Sequence, residues 1–182
     1  MAKKFAVIDT ETNWSNEVMS IGAVVAEDGQ FDSIDFKYII IPEATFVGGM
    51  YSFALKVKGL KSELLERKKA VSTLLQFLER HEVSSLYAYN ASFDAKCLPE
   101  LRNFEWHDIL KLAAYKQHNP AIPACAQCFG TGRLKRGYGV EDIMHLFGEK
   151  NYFELHNALT DAVDELRIMK YLNHPIHKYP LI

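Results

Sequence analysis

The string FAVIDTET at residues 5–12 decides how the rest of the chain is read, because four apolar residues run straight into Asp9 and Glu11. A short apolar run ending in polar residues is the pattern of a buried strand. Two more such runs follow, VMSIGAVVA at 18–26 and FKYIII at 36–41, with EDGQ at 27–30 as a turn between them. Connections this short join antiparallel neighbours, so the opening is expected to be a three-stranded meander. Beyond it the periodicity changes. Residues 42–59 read as a loop containing Gly48-Gly49. Leu64, Leu65, Ala70, Val71, Leu74, Leu75 and Leu78 then recur at near-helical spacing within Lys61–His81, which predicts one or two helices. SLYAY at 85–89 is a further strand, Asn90 is placed to cap a helix, and Pro99 is placed to end it. Residues 105–115 suggest a short strand and helix, 117–139 a loop, and 140–147 a short helix. Ala158–Leu172 forms the last long helix, with Asn157 as its cap. Strands followed by alternating helix and strand imply an α/β fold with a mixed central β-sheet flanked by helices.

At 182 residues the chain suits a single domain over 1–182, with 48% hydrophobic and 24% charged residues. Three cysteines are too few for a disulfide framework and fit a reducing compartment. The apolar run Phe5–Ile8 is too short for the core of a signal peptide, and no later run reaches membrane-spanning length, so the expectation is a cytoplasmic protein with no membrane association. The formal net charge of −2 does not advertise nucleic-acid binding, which usually draws on a basic excess. Basic residues cluster only at Lys56/Lys58/Lys61, Arg67/Lys68/Lys69 and Arg133/Lys135/Arg136. If phosphates bind here, carboxylate-held cations are the natural attraction.

The acids fall at telling places on this frame. Asp9 and Glu11 are two positions apart at the end of a strand and so project from one face. Asp94 lies four residues after Asn90 and Asp161 four after Asn157, each in the first turn of an expected helix, where a carboxylate is favoured. Strand ends and helix starts of an α/β sheet gather at one rim. Four carboxylates gathered there repel one another unless some take up protons or a cation joins them. Mg²⁺ and Mn²⁺ prefer such oxygen ligands, and two ions about 4 Å apart promote phosphoryl displacement. His156, five residues before Asp161, carries a side chain suited to taking a proton from water near neutral pH.

Taken singly, each of these features has an ordinary explanation: a solvated strand end, a capped helix, a surface histidine. Taken in order, FAVIDTET, Asn90-Ala-Ser-Phe-Asp94 and His156-Asn-Ala-Leu-Thr-Asp161 resemble the three motifs of the DEDD exonucleases, across residues 5–166. The histidine five residues before the last aspartate is similar to the DEDDh branch. The resemblance implies a ribonuclease-H-like fold and 3′→5′ exonuclease activity on single-stranded DNA or RNA 3′ ends. It also implies that Asp9, Glu11, Asp94 and Asp161 hold two Mg²⁺ or Mn²⁺ ions and that His156 acts as general base. Thr10, Thr12 and Asn90 would lie near the terminal nucleotide.

Two stretches depart from that pattern. Family members commonly carry a His-Gly-Ile-type segment between residues 47 and 60, where this chain has Gly48-Gly49-Met50-Tyr51-Ser52-Phe53. Tyr51 and Phe53 suit stacking on a base, worth about 1–3 kcal/mol, and equally suit packing beneath their own loop. Cys125-Ala-Gln-Cys128 resembles half of a zinc knuckle, but no second pair supplies the remaining ligands, so two reduced thiols are the simpler reading. An endonuclease on the same fold is disfavoured by the His156–Asp161 spacing, and a binding module by the retention of all five reacting residues. The sequence leaves open DNA against RNA, the biological pathway, and whether the chain acts alone or as a homodimer.

Overall fold

The computed structural model describes residues 3–182. Three long strands form the meander: β1 (Lys4–Thr12), β2 (Val18–Glu27) and β3 (Ser33–Ile40), each antiparallel to the next. Two short strands, β5 (Ser85–Ala88) and β6 (Glu105–Asp108), extend the sheet in parallel beyond β1, and β4 (Glu63–Leu64) pairs in parallel with β3. The order across the six-stranded mixed sheet is β4-β3-β2-β1-β5-β6. Its helices are α1 (Pro42–Thr45), α2 (Arg67–Arg80), α3 (Ser92–Cys97), α4 (Leu110–Ala113), α5 (Val140–Leu146) and α6 (Ala158–Leu172).

Alternation along β1 explains the layering. Ala6 and Ile8 join a core with Ala70, Leu74 and Leu78 of α2, whereas Phe5 and Val7 join a second core with Ile143, Met144, Ala162, Leu166 and Met169 of α5 and α6. Both faces of the central strand are thus buried, which accounts for its unbroken apolar run. The odd-numbered residues turn toward α6, so Asp9 and Glu11 continue the row begun by Phe5 and Val7. Because β1, β5 and β6 run the same way, their carboxyl ends share one rim of the sheet.

Several local expectations need correction. The first strand runs beyond the apolar residues Phe5–Ile8: it stays paired with β2 through Glu11 and a bulge at Thr12, so both acids sit within the strand's paired length. The first part of Lys61–His81 is the edge strand β4, and only one helix follows, since pairing with β3 wins over the weak helical spacing of Leu64 and Leu65. Asn90 does not cap α3. It takes a left-handed conformation (φ 65°), which asparagine tolerates, to turn the chain sharply out of β5, and the helix begins at Ser92 with no side-chain cap. The 42–59 segment contains α1, with proline in its first turn, and a 3-10 turn at Ser52–Ala54.

Candidate active site

Helix α6 reaches the site through two features of its first turn. Asn157 is fully buried, and its side-chain Oδ1 accepts from the amides of Leu159 (3.2 Å) and Thr160 (3.3 Å), which makes it the expected cap. Its amide nitrogen donates to the Tyr38 hydroxyl and the Ala54 carbonyl, both at 2.7 Å. Opposite it on β2 stands Gly22, where an added Cβ would lie 2.0 Å from the Ala158 carbonyl oxygen. A glycine inside a strand therefore lets the helix start press directly on the sheet beside Asp9, its partner in register.

This close approach brings the predicted acids together. Asp94, Asp161 and Glu11 are all buried, and one side-chain ligand atom from each of Glu11, His156 and Asp161 lies within 4.8 Å of the others. Thr10, also buried, donates its hydroxyl to Asp94 Oδ1 at 2.8 Å, so its side chain is committed to holding that carboxylate. Thr12 is half-buried at the end of β1, and Asn90 is exposed at the turn before α3. Of the sequence-derived set, Asp9, Glu11, Asp94, Asp161 and His156 share one rim, with Thr10 beneath them.

Burial and mutual repulsion dominate the electrostatics. Burial pushes Glu11 up to about 8, with Asp161, Glu154 and Asp94 adding to the rise. It likewise takes Asp161 to about 8, helped by Glu154 and Asp164. Asp94 is pushed up to about 7 by burial, against the opposing hydrogen bond from Thr10. Asp9 is raised well above the carboxylate range by burial and then by Asp94, Glu165, Asp161 and Glu11. Its Oδ2 atom is buried with no hydrogen-bond partner. A buried, unpaired carboxylate oxygen among four further acids is what a divalent cation would satisfy, so the donor set fits Mg²⁺ or Mn²⁺. Burial lowers the His156 pKa, favouring the neutral imidazole.

Further groups at this rim escape a motif-based reading. Glu165, one turn beyond Asp161, is almost wholly buried, and its Oε2 accepts the amide of Tyr89 at 3.0 Å. Asp108, at the end of β6, accepts the next amide, that of Asn90, at 3.1 Å and that of Leu110 at 3.0 Å. Two buried carboxylates thereby hold successive amides of the left-handed turn that delivers Asp94. Both positions carried a signal: Glu165 is at i+4 from Asp161 on one helix face, and Asp108 ends a parallel strand. Phe53 is 79% exposed, so it does not pack beneath its loop. Cys125 is exposed and Cys128 half-buried, and among the described residues neither belongs to a cluster of metal-ligating side chains. No described helix is long and apolar enough to cross a membrane.

No protein-family model matches the sequence, and no curated protein is significantly similar to it. Solved structures do match in three dimensions. The nuclease domain of 3′hExo, a DEDDh family member bound to rAMP, aligns with a TM-score of 0.67 at 12% identity, over 100% of this chain and 96% of that one. A 3′-exonuclease studied for 3′-end-specific recognition of a histone mRNA stem-loop aligns at 0.65 and 12% identity, over 100% and 70%. E. coli Exonuclease I in complex with a dT13 oligonucleotide aligns at 0.59 and 14% identity, and the chain spans 40% of its length. At these identities the likeness establishes the fold: a mixed sheet flanked by helices, in the ribonuclease-H-like arrangement of the DEDDh exonuclease domains.

Proposed function

We propose that the chain is a metal-dependent 3′→5′ exonuclease of the DEDDh type, which removes nucleotides from single-stranded DNA or RNA 3′ ends. The observation that carries this reading is the meeting of Asp9, Glu11, Asp94 and Asp161 from three separate segments at one rim, beside His156. Asp9, Glu11, Asp94 and Asp161 are the residues to hold two Mg²⁺ or Mn²⁺ ions. When bound, these ions would neutralise the carboxylates, attract the scissile phosphate and stabilise the departing 3′ oxygen. The cations would also explain how a slightly acidic chain takes up a polyanion.

The protein residues supply the rest. His156, whose partial burial favours the neutral imidazole, accepts the proton of the attacking water. Thr10 keeps Asp94 oriented, and Glu165 with Asp108 fixes the turn from which Asp94 projects. Thr12 and Asn90 border the site at the positions where a terminal nucleotide would lie. All five reacting groups come from one chain. The three free cysteines fit a reducing cytoplasm.

The test compares two variants for turnover and for Mn²⁺ binding. A general base contributes about 10²–10⁴-fold in rate, so His156→Ala should lose that much kcat while Mn²⁺ affinity persists. Asp161→Ala should lose both. The closeness of His156 to Glu11 and Asp161 supports a second reading, in which the imidazole is itself a ligand. Loss of Mn²⁺ affinity in His156→Ala as severe as in Asp161→Ala would establish that reading and remove the general-base role.

A further inference from the structure

The segment between α1 and β4 is built to bring one aromatic ring to His156. Gly49 packs against the end of β1, where an added Cβ would lie 2.6 Å from the Thr12 carbonyl oxygen and 2.7 Å from Met19 Cε. Its amide donates to the Ser52 hydroxyl at 2.6 Å, and the Ala54 amide donates back to the Tyr51 carbonyl at 2.9 Å. The far side of this turn is tied down from two directions. Asn157 donates to the Ala54 carbonyl, and the Tyr38 hydroxyl donates to the Leu55 carbonyl at 2.6 Å. The loop is therefore bonded to the residue that follows His156, and Tyr51 is carried into register with it.

The two rings lie face to face, with centroids 3.8 Å apart and planes inclined by 16°. His156 has little else to orient it. Its backbone is left-handed (φ 55°), and its Nδ1 atom is 3.9 Å from Glu154 Oε1, too far for a hydrogen bond. Among the described residues no hydrogen bond holds the imidazole, whereas a metal-site or catalytic histidine is ordinarily oriented by one.

We infer that Tyr51 is a positioning residue for His156: by stacking on the imidazole it does the orienting that a hydrogen bond to the second ring nitrogen does elsewhere. The role of His156 itself rests on the exonuclease reading above. Tyr51 is accordingly occupied by the protein in the free state, rather than standing open as a platform for a base.

The experiment has two arms. In the first, the ring C–H resonances of His156 are followed by NMR in the metal-free protein without substrate. Stacking under Tyr51 shifts them upfield through the ring current. Tyr51→Leu should abolish that shift, and Tyr51→Phe should restore it. In the second, Tyr51→Leu should lower kcat roughly tenfold with KM held within about twofold, the size of effect expected when an aromatic pair no longer biases one ring orientation. Tyr51→Phe should recover the loss, and Tyr51→Leu should cost nothing further in a His156→Ala background. Ring resonances that do not move in Tyr51→Leu would overturn the inference, as would a raised KM at unchanged kcat that persists without His156. That last pattern would make Tyr51 a base platform. Failure of the wild-type protein to hydrolyse any 3′ end would instead defeat the exonuclease reading and with it the role of the stack, while leaving the NMR result to report the contact itself.

Discussion

Replacing Asn157 by alanine tests how the first turn of α6 is held over the sheet. Alanine removes the acceptor for two helix-start amides, Leu159 and Thr160, at a cost of about 0.5–2 kcal/mol for a lost cap. It also strands the buried Ala54 carbonyl, whose donor is Asn157, at about 1–3 kcal/mol for an unsatisfied group. Tyr38 loses a donor to its oxygen but still gives its own proton to Leu55, so it adds little. The sum is about 3 kcal/mol, which for a chain of this size lowers Tm by about 6–12 °C. Asn157→Ser provides a decisive comparison, because a serine hydroxyl restores the cap yet is too short to reach Tyr38 and Ala54 together. Urea unfolding in metal-free buffer should rank the proteins wild type, serine, alanine in falling stability, with unchanged m-values. An alanine variant within about 0.5 kcal/mol of wild type, or a serine variant no better than alanine, would show that Asn157 does not hold the helix start in this way.

Three other outcomes follow from the same geometry. Gly22→Ala drives a Cβ into the α6 backbone, so the helix start must retreat by roughly 1 Å. Stability should drop by about 1–3 kcal/mol and kcat by up to about 100-fold, and near-normal kcat with Mg²⁺ would show that the contact is dispensable. Glu165→Gln keeps an acceptor for the Tyr89 amide and should unfold in urea at or above the wild-type midpoint, whereas Glu165→Leu should cost about 1–3 kcal/mol; equal midpoints for the two would remove the clamp. Finally, Glu11, Asp94 and Asp161 have folded-state pKa values near 8, 7 and 8, above those of the unfolded chain. The native state therefore retains protons that the unfolded chain has shed, and metal-free stability should fall as pH rises from about 4 to about 8. Added Mn²⁺ should reverse this and raise Tm more at about pH 8 than at about pH 6, since ligands bind deprotonated; calorimetry showing a flat or rising metal-free profile would contradict it.

The parts of the fold that obey a local rule were legible in the sequence. The meander follows from three apolar runs with short connections, and Asn157 from its place before an amphipathic run. Where a non-local partner decided the outcome, local reasoning failed. Glu63 and Leu64 look helical until β3 offers them an edge, and Asn90 looks like a cap until β5 has to turn at it. The site divides in the same way. Asp9, Glu11, Asp94, His156 and Asp161 could be read because their spacing resembles a family pattern and each sits at an element end. Glu165 stands four residues after Asp161 on an apolar helix face, a spacing that hints at the site, but its task follows from the Tyr89 amide that it accepts. The meaning of Gly22 lies in what stands opposite it, the Ala158 carbonyl, more than 130 residues away. The Tyr51–His156 stack depends on a loop path that composition alone does not specify.

If the acid-lined rim removes nucleotides from a free 3′ end with divalent metal, the product pattern reveals it: a 5′-labelled single strand, DNA and RNA in parallel, is incubated with Mg²⁺ or Mn²⁺ and with a circular strand as companion substrate. The expected result is a ladder that shortens one nucleotide at a time from the 3′ end, an intact circle, and no products in excess EDTA or with Asp94→Ala. Cleavage of the circle, or a ladder undiminished by EDTA, would contradict it.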